Sequence, residues 1–209
     1  YIRKNKLSRL LNAGGLIRII EVHNGLTALI AENSKYREKE FDGMWLSSLT
    51  HSASKGKPDN EYVDDTTIVN TLNDVFDCTT KPLILDADSG GKIEHFKYTI
   101  NNMERMGVSA IIIEDKVGNK ENSLIKNSRQ KQDTIDNFSN KIFQSKSYIK
   151  DSDMKIFARI ESLIMNKGMK DAITRAKAYI EAGSDGIMIH SKSKNAKEVL
   201  EFIKKYNEL

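Results

Sequence analysis

Cysteine is nearly absent from this 209-residue chain, in which Cys78 stands alone. No disulfide can close within it, and a single thiol fits a reducing compartment, so a cytoplasmic location is expected. No run of about 18 apolar residues occurs, which excludes a membrane-spanning helix of ordinary length. The first residues carry no secretory apolar stretch either. Charge of one sign is not concentrated: Lys+Arg is 33 against Asp+Glu 29, a net +4 spread along the chain. A nucleic-acid surface would need a dense basic stripe, so neither nucleic acid nor membrane is an expected partner. The chain opens at Tyr1 rather than Met, so a processed or trimmed start, or a piece of a longer protein, is expected.

The length suits one domain over residues 1–209 with a sizeable core. Short apolar runs at Leu16–Val22, Gly43–Leu49, Pro82–Ala87, Ala110–Glu114, Lys155–Ile160 and Gly186–His190 read as strands. Between them apolar residues recur at helical spacing. Ile68, Leu72, Val75 and Phe76 do so, then Ile93, Phe96, Ile100 and Met103. Ile135, Phe138 and Ile142 follow, then Ile173, Ala176 and Ile180, and finally Val199, Phe202 and Ile203. Strand then helix, repeated, predicts an α/β fold with a parallel sheet, and near-continuous apolar strands predict burial on both faces. Met103 and Met106 are assigned to the core.

Each strand ends in polar residues: His23 and Asn24, Ser47 and Ser48, Asp86 and Asp88, Glu114 and Asp115, Arg159 and Glu161, His190 and Ser191. A TIM-type (β/α)8 barrel gathers such ends at one mouth, whereas a doubly wound sheet uses one switch point. The barrel is therefore the expected fold, with six of its eight βα units present. The last two are expected beyond Leu209 or from another chain. Residues 116–133 form a strand-to-helix connection far longer than usual, without periodicity and rich in Lys116, Lys120, Lys126, Arg129 and Lys131. A mobile lid is expected there.

Asp86 and Asp88 alternate across Ala87, so both can face one side of an extended chain. With Glu114 they offer three hard oxygen ligands suited to Mg²⁺, or to Mn²⁺. The plainer alternative is helix caps or solvated loop acids. Arg159 presents a fork that matches carboxylate or phosphoryl oxygens, and His190 can bond the same anion. Here the plainer alternative pairs Arg159 with Glu161 or another acid and leaves His190 as a satisfied buried histidine. Small residues in Trp45–Leu49 let backbone N–H groups approach an anion. Gly56–Asp59 reads first as a turn, with Asp59 a candidate from spacing alone. Ser89-Gly90-Gly91 supplies backbone freedom after Asp88, or is an ordinary turn.

The string Glu114-Asp115-Lys116-Val117-Gly118-Asn119-Lys120-Glu121-Asn122-Ser123 resembles the signature loop of the phosphoenolpyruvate mutase family, within the isocitrate lyase / phosphoenolpyruvate mutase superfamily of barrel enzymes. Segments Glu21–Leu26, Trp45–Leu49, Asp86–Asp88, Ala158–Glu161, Ile187–Ser191 and Glu198–Tyr206 are similar to family segments in the same order. The resemblance implies Mg²⁺ held by Asp86, with Asp88 and Glu114 acting largely through water. It implies that Ser47, Ser48 and Leu49, in the segment opened by Trp45, bind the substrate's anionic groups with Arg159 and His190. Asp59 resembles the aspartate near the reacting phosphoryl group, and Lys120, Asn122 and Ser123 resemble the gate that closes over substrate. Many family members have Gly where Ser48 stands. The implied reaction interconverts phosphoenolpyruvate and phosphonopyruvate in phosphonate biosynthesis, and the implied assembly is a homo-oligomer, dimer or tetramer. Phosphonopyruvate hydrolase is the near alternative, against which Asn122 weighs. A carbon–carbon lyase of the superfamily would carry a cysteine in this lid, and Cys78 falls on an expected helix instead. A non-catalytic truncated barrel acting as an assembly module is the third alternative.

Overall fold

Runs too short and too apolar for an exposed helix become strands, and the amphipathic stretches between them become helices. The computed structural model describes residues 2–125, 130–150 and 153–208. Its elements in chain order begin with α1 (Ile2–Ala13), β1 (Ile19–Val22), α2 (Gly25–Asn33), β2 (Lys35–Tyr36), β3 (Lys39–Glu40) and β4 (Gly43–Leu46). They continue with α3 (Ser48–Ser54), α4 (Asp65–Cys78), β5 (Leu83–Asp86), α5 (Ile93–Met106), β6 (Ala110–Glu114) and β7 (Lys116–Val117). The last are β8 (Lys131–Gln132), α6 (Ile135–Tyr148), β9 (Lys155–Ile160), α7 (Gly168–Glu181), β10 (Gly186–Ile189) and α8 (Lys197–Tyr206).

All six expected strands form, in one sheet of order β1-β4-β5-β6-β9-β10. The pairs β1–β4, β4–β5 and β9–β10 run parallel, with Ile19 opposite Gly43, Met44 opposite Leu83 and Gly186 opposite Phe157. Every residue of β5 and β6 is buried, as a sheet covered on both faces requires. No described helix is long and apolar enough to cross a membrane.

The expected strands at Pro82–Ala87 and Gly186–His190 overrun the observed ones by a single residue at Pro82, Ala87 and His190, and two other boundaries differ by three. The first strand begins at Ile19, not Leu16, and the second ends at Leu46, not Leu49. Ser47 is extended (φ −79°, ψ 133°) and the chain turns helical at once, with the His51 N–H bonding the Ser47 carbonyl at 3.0 Å. Ser48 and Leu49 therefore open α3 rather than close a strand.

The chain divides into two compact units. The first comprises Tyr1–Asp86, Tyr98–Ile111 and Ile149–Lys155. Its core includes Val22, Met44, Leu46, Leu72, Leu83, Leu85, Ile100 and Met103. Asn24 caps α2 with a reciprocal box: its side chain accepts from the Thr27 N–H at 2.9 Å, and Thr27 Oγ1 accepts from the Asn24 N–H at 3.1 Å. Arg3 ties α1 to the end of α4, donating to the Phe76 and Thr79 carbonyls at 2.7 Å each while lying 4.1 Å over the Phe76 ring. Gly43 is required by close approach, since a Cβ there would stand 2.7 Å from Ile19 Cδ1 and 3.0 Å from the Pro82 carbonyl.

The second unit comprises Ala87–Lys97, Ile112–Tyr148 and Ile156–Leu209. Ile113, Phe138, Ile142, Ile160, Ala176 and Phe202 lie in its core. Tyr179 packs edge-on against Phe138, ring centroids 4.8 Å apart. At the end of β6 the wholly buried Asp115 carboxylate collects donors from three elements. They are Gln132 Nε2 at 2.7 Å, Tyr179 OH at 2.8 Å, Arg175 Nη1 at 3.2 Å and the Glu161 N–H at 3.0 Å. Its backbone joins in as well: the Asp115 N–H bonds the Arg159 carbonyl at 3.1 Å, and its own carbonyl takes the Asp133 N–H at 2.9 Å. The long connection without periodicity is rooted in an antiparallel ribbon of β7 and β8, Lys116 opposite Gln132.

Replacing Asp115 by Ala removes the shared acceptor of three buried donors, Gln132, Tyr179 and Arg175, of which Arg175 keeps Asp171 at 2.9 Å, and a loss of about 3–5 kcal/mol is expected. Tyr179→Phe removes one hydrogen bond to a charged acceptor and is expected to cost about 1.5–3 kcal/mol. Urea unfolding at neutral pH measures both, and wild-type stability in Asp115→Ala would contradict the central place given to this carboxylate.

Candidate active site

The strand ends of the second unit carry a closed circuit of charges. Glu114 ends β6, Arg159 precedes the last residue of β9, and Glu161 follows it. All three are buried, Glu161 completely. Arg159 Nη2 is bonded to Glu114 Oε2, and Arg159 Nε lies 3.0 Å from Glu161 Oε1. Glu114 Oε1 meets Lys116 Nζ at 2.9 Å. Lys116 Nζ donates to Ser123 Oγ at 2.8 Å, and Ser123 Oγ donates to Glu161 Oε2 at 3.1 Å. Two carboxylates thus alternate with a guanidinium and an ammonium, and a serine hydroxyl closes the loop. His190, just after β10, brings Nδ1 to 2.8 Å from Glu161 Oε1. Burial pushes the Glu161 carboxyl up, but the His190 hydrogen bond and the charges of His190, Arg159 and Lys116 together hold it below its ordinary value.

The connection between β7 and β8 reaches back over these groups. Lys120 Nζ is paired with the Asp88 carboxylate, and Lys116 also bonds Gln130 Oε1 at 2.8 Å. Asn122 shapes the turn: its side chain accepts from the Leu124 N–H at 2.9 Å, and its carbonyl takes Gln130 Nε2 at 3.1 Å. Asp88 sits in left-handed backbone (φ 52°), and its carbonyl accepts from the Glu114 N–H at 2.8 Å.

In the first unit Ser48 Oγ lies 3.2 Å from Asp86 Oδ2 and 3.4 Å from Asp59 Oδ1, so one hydroxyl joins two expected acids. Asp86 and Ser47 are buried, Trp45 is half-buried and Leu49 is exposed. Trp45 Nε1 is buried with no hydrogen-bond partner among the described residues. At the end of β1, Glu21 accepts from Thr50 Oγ1 and stands 3.2 Å from His23 Nδ1.

The carboxylates of Asp86, Asp88 and Glu114 are a hard, all-oxygen donor set, and that chemistry fits Mg²⁺ or Mn²⁺. Among the described residues no three acidic or histidine side chains gather round one point. Cationic side chains take the oxygens of Asp88 and Glu114 instead.

Comparison with known proteins then decides the family. The sequence model of the Phosphoenolpyruvate phosphomutase family matches residues 7–209. The chain belongs to the phosphoenolpyruvate phosphomutase family. It is 34% identical over 205 residues to phosphoenolpyruvate phosphomutase of Tetrahymena pyriformis, covering 98% of this chain and 67% of the relative. Among solved structures it resembles phosphoenolpyruvate phosphomutase of Streptomyces platensis subsp. rosaceus, with TM-score 0.90, 33% identity and coverage of 97% of this chain and 69% of that one. It also resembles a phosphonopyruvate hydrolase in complex with oxalate and Mg²⁺, with TM-score 0.86, 32% identity and coverage of 98% and 68%. The chain therefore spans about two thirds of the length of these relatives.

Within this phosphomutase-family chain, Glu114, Arg159, Ser123 and His190 are brought into one network, and Lys120 joins Asp88. The plainer expectation for Arg159 also holds, because it pairs with Glu161 as well as Glu114. Lys126 and Arg129 lie outside the described residues. The Ser123 and His190 bonds to Glu161, Lys116 as a cross-link and Glu21 beside Thr50 had no sequence signal beyond charged residues near strand ends.

Because Glu161's folded pKa lies below its ordinary 4.5, the carboxylate stabilises the native state above that value. That contribution is lost as pH falls through the lower folded value. Wild type is expected to be more stable than Glu161→Gln at neutral pH, with the gap shrinking below about pH 4.5. Urea titrations at neutral and acid pH measure the gap, and a constant difference would show that Glu161's ionisation contributes nothing.

Proposed function

We propose that the protein interconverts phosphoenolpyruvate and phosphonopyruvate by moving a phosphoryl group between the enol oxygen and C3. The observation that carries this reading is the lid itself. Lys116, Lys120 and Ser123 all lie on strand-end carboxylates, in the unit that also holds Arg159 and His190. A metaphosphate-like group in transit needs cationic and N–H donors, and it needs water kept away. Arg159 and His190 bind the phosphoryl oxygens, Asn122 adds a donor from the lid, and Asp59 faces the transferring group. Ser47, Ser48 and Leu49, with Trp45 alongside, hold the pyruvyl portion.

In this reading Asp86 ligates Mg²⁺ and Asp88 and Glu114 reach it through water. When bound, the ion supplies electrophilic stabilisation to the pyruvyl oxygens. C3 forms its bond to phosphorus as the bond from phosphorus to the enol oxygen breaks, and the released electron pair becomes the carbonyl. No proton needs to move, so the protein's task is orientation, charge complementarity and dryness. The same proposal includes a (β/α)8 barrel, which the order and parallel sense of the six strands support. It also includes a cytoplasmic homo-oligomer, dimer or tetramer, supported by the family resemblance.

Phosphonopyruvate hydrolase is the second reading, favoured by nearly equal likeness: 32% identity against 33% for the phosphomutase structure. ³¹P NMR of the protein with Mg²⁺ and phosphonopyruvate separates the two. A growing phosphoenolpyruvate resonance is expected, whereas inorganic phosphate formed with pyruvate would assign the hydrolase. Asp86→Ala is expected to abolish Mg²⁺-dependent turnover, and retained turnover would remove Asp86 from the metal site. Asn122→Ala is expected to lower kcat by about 10²–10³-fold with little change in the unfolding midpoint, and an unchanged kcat would remove Asn122 from the chemistry.

A further inference from the structure

Glu161 is completely buried, yet its carboxylate meets three groups from three parts of the second unit. Ser123 Oγ of the lid bonds Oε2 at 3.1 Å, while Arg159 Nε and His190 Nδ1 share Oε1 at 3.0 and 2.8 Å. Proton directions follow from chemistry. An ammonium only donates and a carboxylate only accepts. With Lys116 Nζ donating to Ser123 Oγ at 2.8 Å, the hydroxyl proton of Ser123 goes to Glu161. By the same rule His190 carries a proton on Nδ1 in either charge state, leaving Nε2 as the atom available to a ligand.

We propose that Glu161 is a positioning residue on which the lid latches through Ser123, so that closing the lid and orienting Arg159 and His190 are held by a single carboxylate. The proposal rests on the functional reading above only in taking Arg159 and His190 as the anion-binding pair. The neutral amide of glutamine has one acceptor oxygen, so Glu161→Gln cannot serve the lid on one side and the Arg159/His190 pair on the other with acceptors alone. Ser123→Ala breaks the Lys116–Ser123–Glu161 relay at its centre, and Ser123→Thr keeps the hydroxyl.

The test is made on the full chain without substrate, so a protein that turns over neither phosphonopyruvate nor phosphoenolpyruvate still reports on the latch. Hydrogen exchange of lid residues 117–125 and ¹⁵N spectra of the histidine rings are recorded for wild type and the three variants. Glu161→Gln and Ser123→Ala are each expected to speed lid exchange by about tenfold, the effect of losing one hydrogen bond to a charged group. Ser123→Thr is expected to restore protection, and Glu161→Gln alone is expected to shift the His190 Nδ1 resonance. Unchanged lid exchange in both disruptive variants would overturn the latch, as would a Ser123→Ala effect that threonine fails to reverse. A His190 ring indifferent to Glu161→Gln would overturn the positioning role. Should Glu161→Gln not fold, the Ser123→Ala and Ser123→Thr pair decides the latch, and the response of Arg159 and His190 is read from oxalate affinity in Ser123→Ala with Mg²⁺. An expected weakening of about tenfold would support the shared carboxylate, and unchanged affinity would overturn it.

Discussion

A carboxylate with no access to water dictates much of the second unit. Burial drives the Asp115 carboxyl upward and makes its charge costly, so the fold can keep it there only by supplying donors. Those donors are the side chains of Gln132, Tyr179 and Arg175 and the backbone N–H of Glu161. Satisfying one side chain therefore fixes β8, the exit of β9 and the inner face of α7 at once. Glu114 and Lys116, the two residues that flank Asp115, are held as the buried acid that ends β6 and the buried lysine that starts β7. Neither could be displaced without disturbing that buried set of bonds.

How much of this was readable in the chain depends on the range of the interaction. The six strands and five of the helices follow from periodicity, which is local and strong. The helices α1, α2 and α3 were not anticipated: α3 is Ser-Leu-Thr-His-Ser-Ala-Ser, with no apolar stripe to signal it. Two-residue strands such as β7 and β8 carry no period at all, and they exist because the Asp115 and Gln132 bond closes the ribbon. The strand-end polar residues were legible one by one, and the string Glu114–Ser123 pointed to the family. Which acid meets which base was not. The Ser48 bond to Asp86 and the Ser123 bond to Glu161 each span 38 positions, and only the folded chain brings such partners together.

The circuit of Glu114, Arg159, Glu161 and Lys116 balances two negative charges with two positive ones. Such a buried set is a poor source of net stability, because desolvation offsets most of the attraction. Its value lies in holding orientation without water. Mutase and hydrolase relatives are almost equally similar to this chain, so the scaffold does not choose between transfer to carbon and transfer to water. In the proposed function that choice falls to whether residues 116–133 admit a water molecule, and the bonds made by Lys116, Lys120 and Ser123 are the ones that hold them down.

Asp88 holds a backbone conformation that a residue with a Cβ adopts at a cost of about 1 kcal/mol or more. Glycine would occupy it without penalty. Glycine would also take away the carboxylate that the buried Lys120 ammonium meets, so backbone and ion pair pull in opposite directions at this position. The turn therefore carries a backbone cost on behalf of the charge it presents, and an uncharged residue able to relax the turn would leave the ammonium opposite it without that counter-charge.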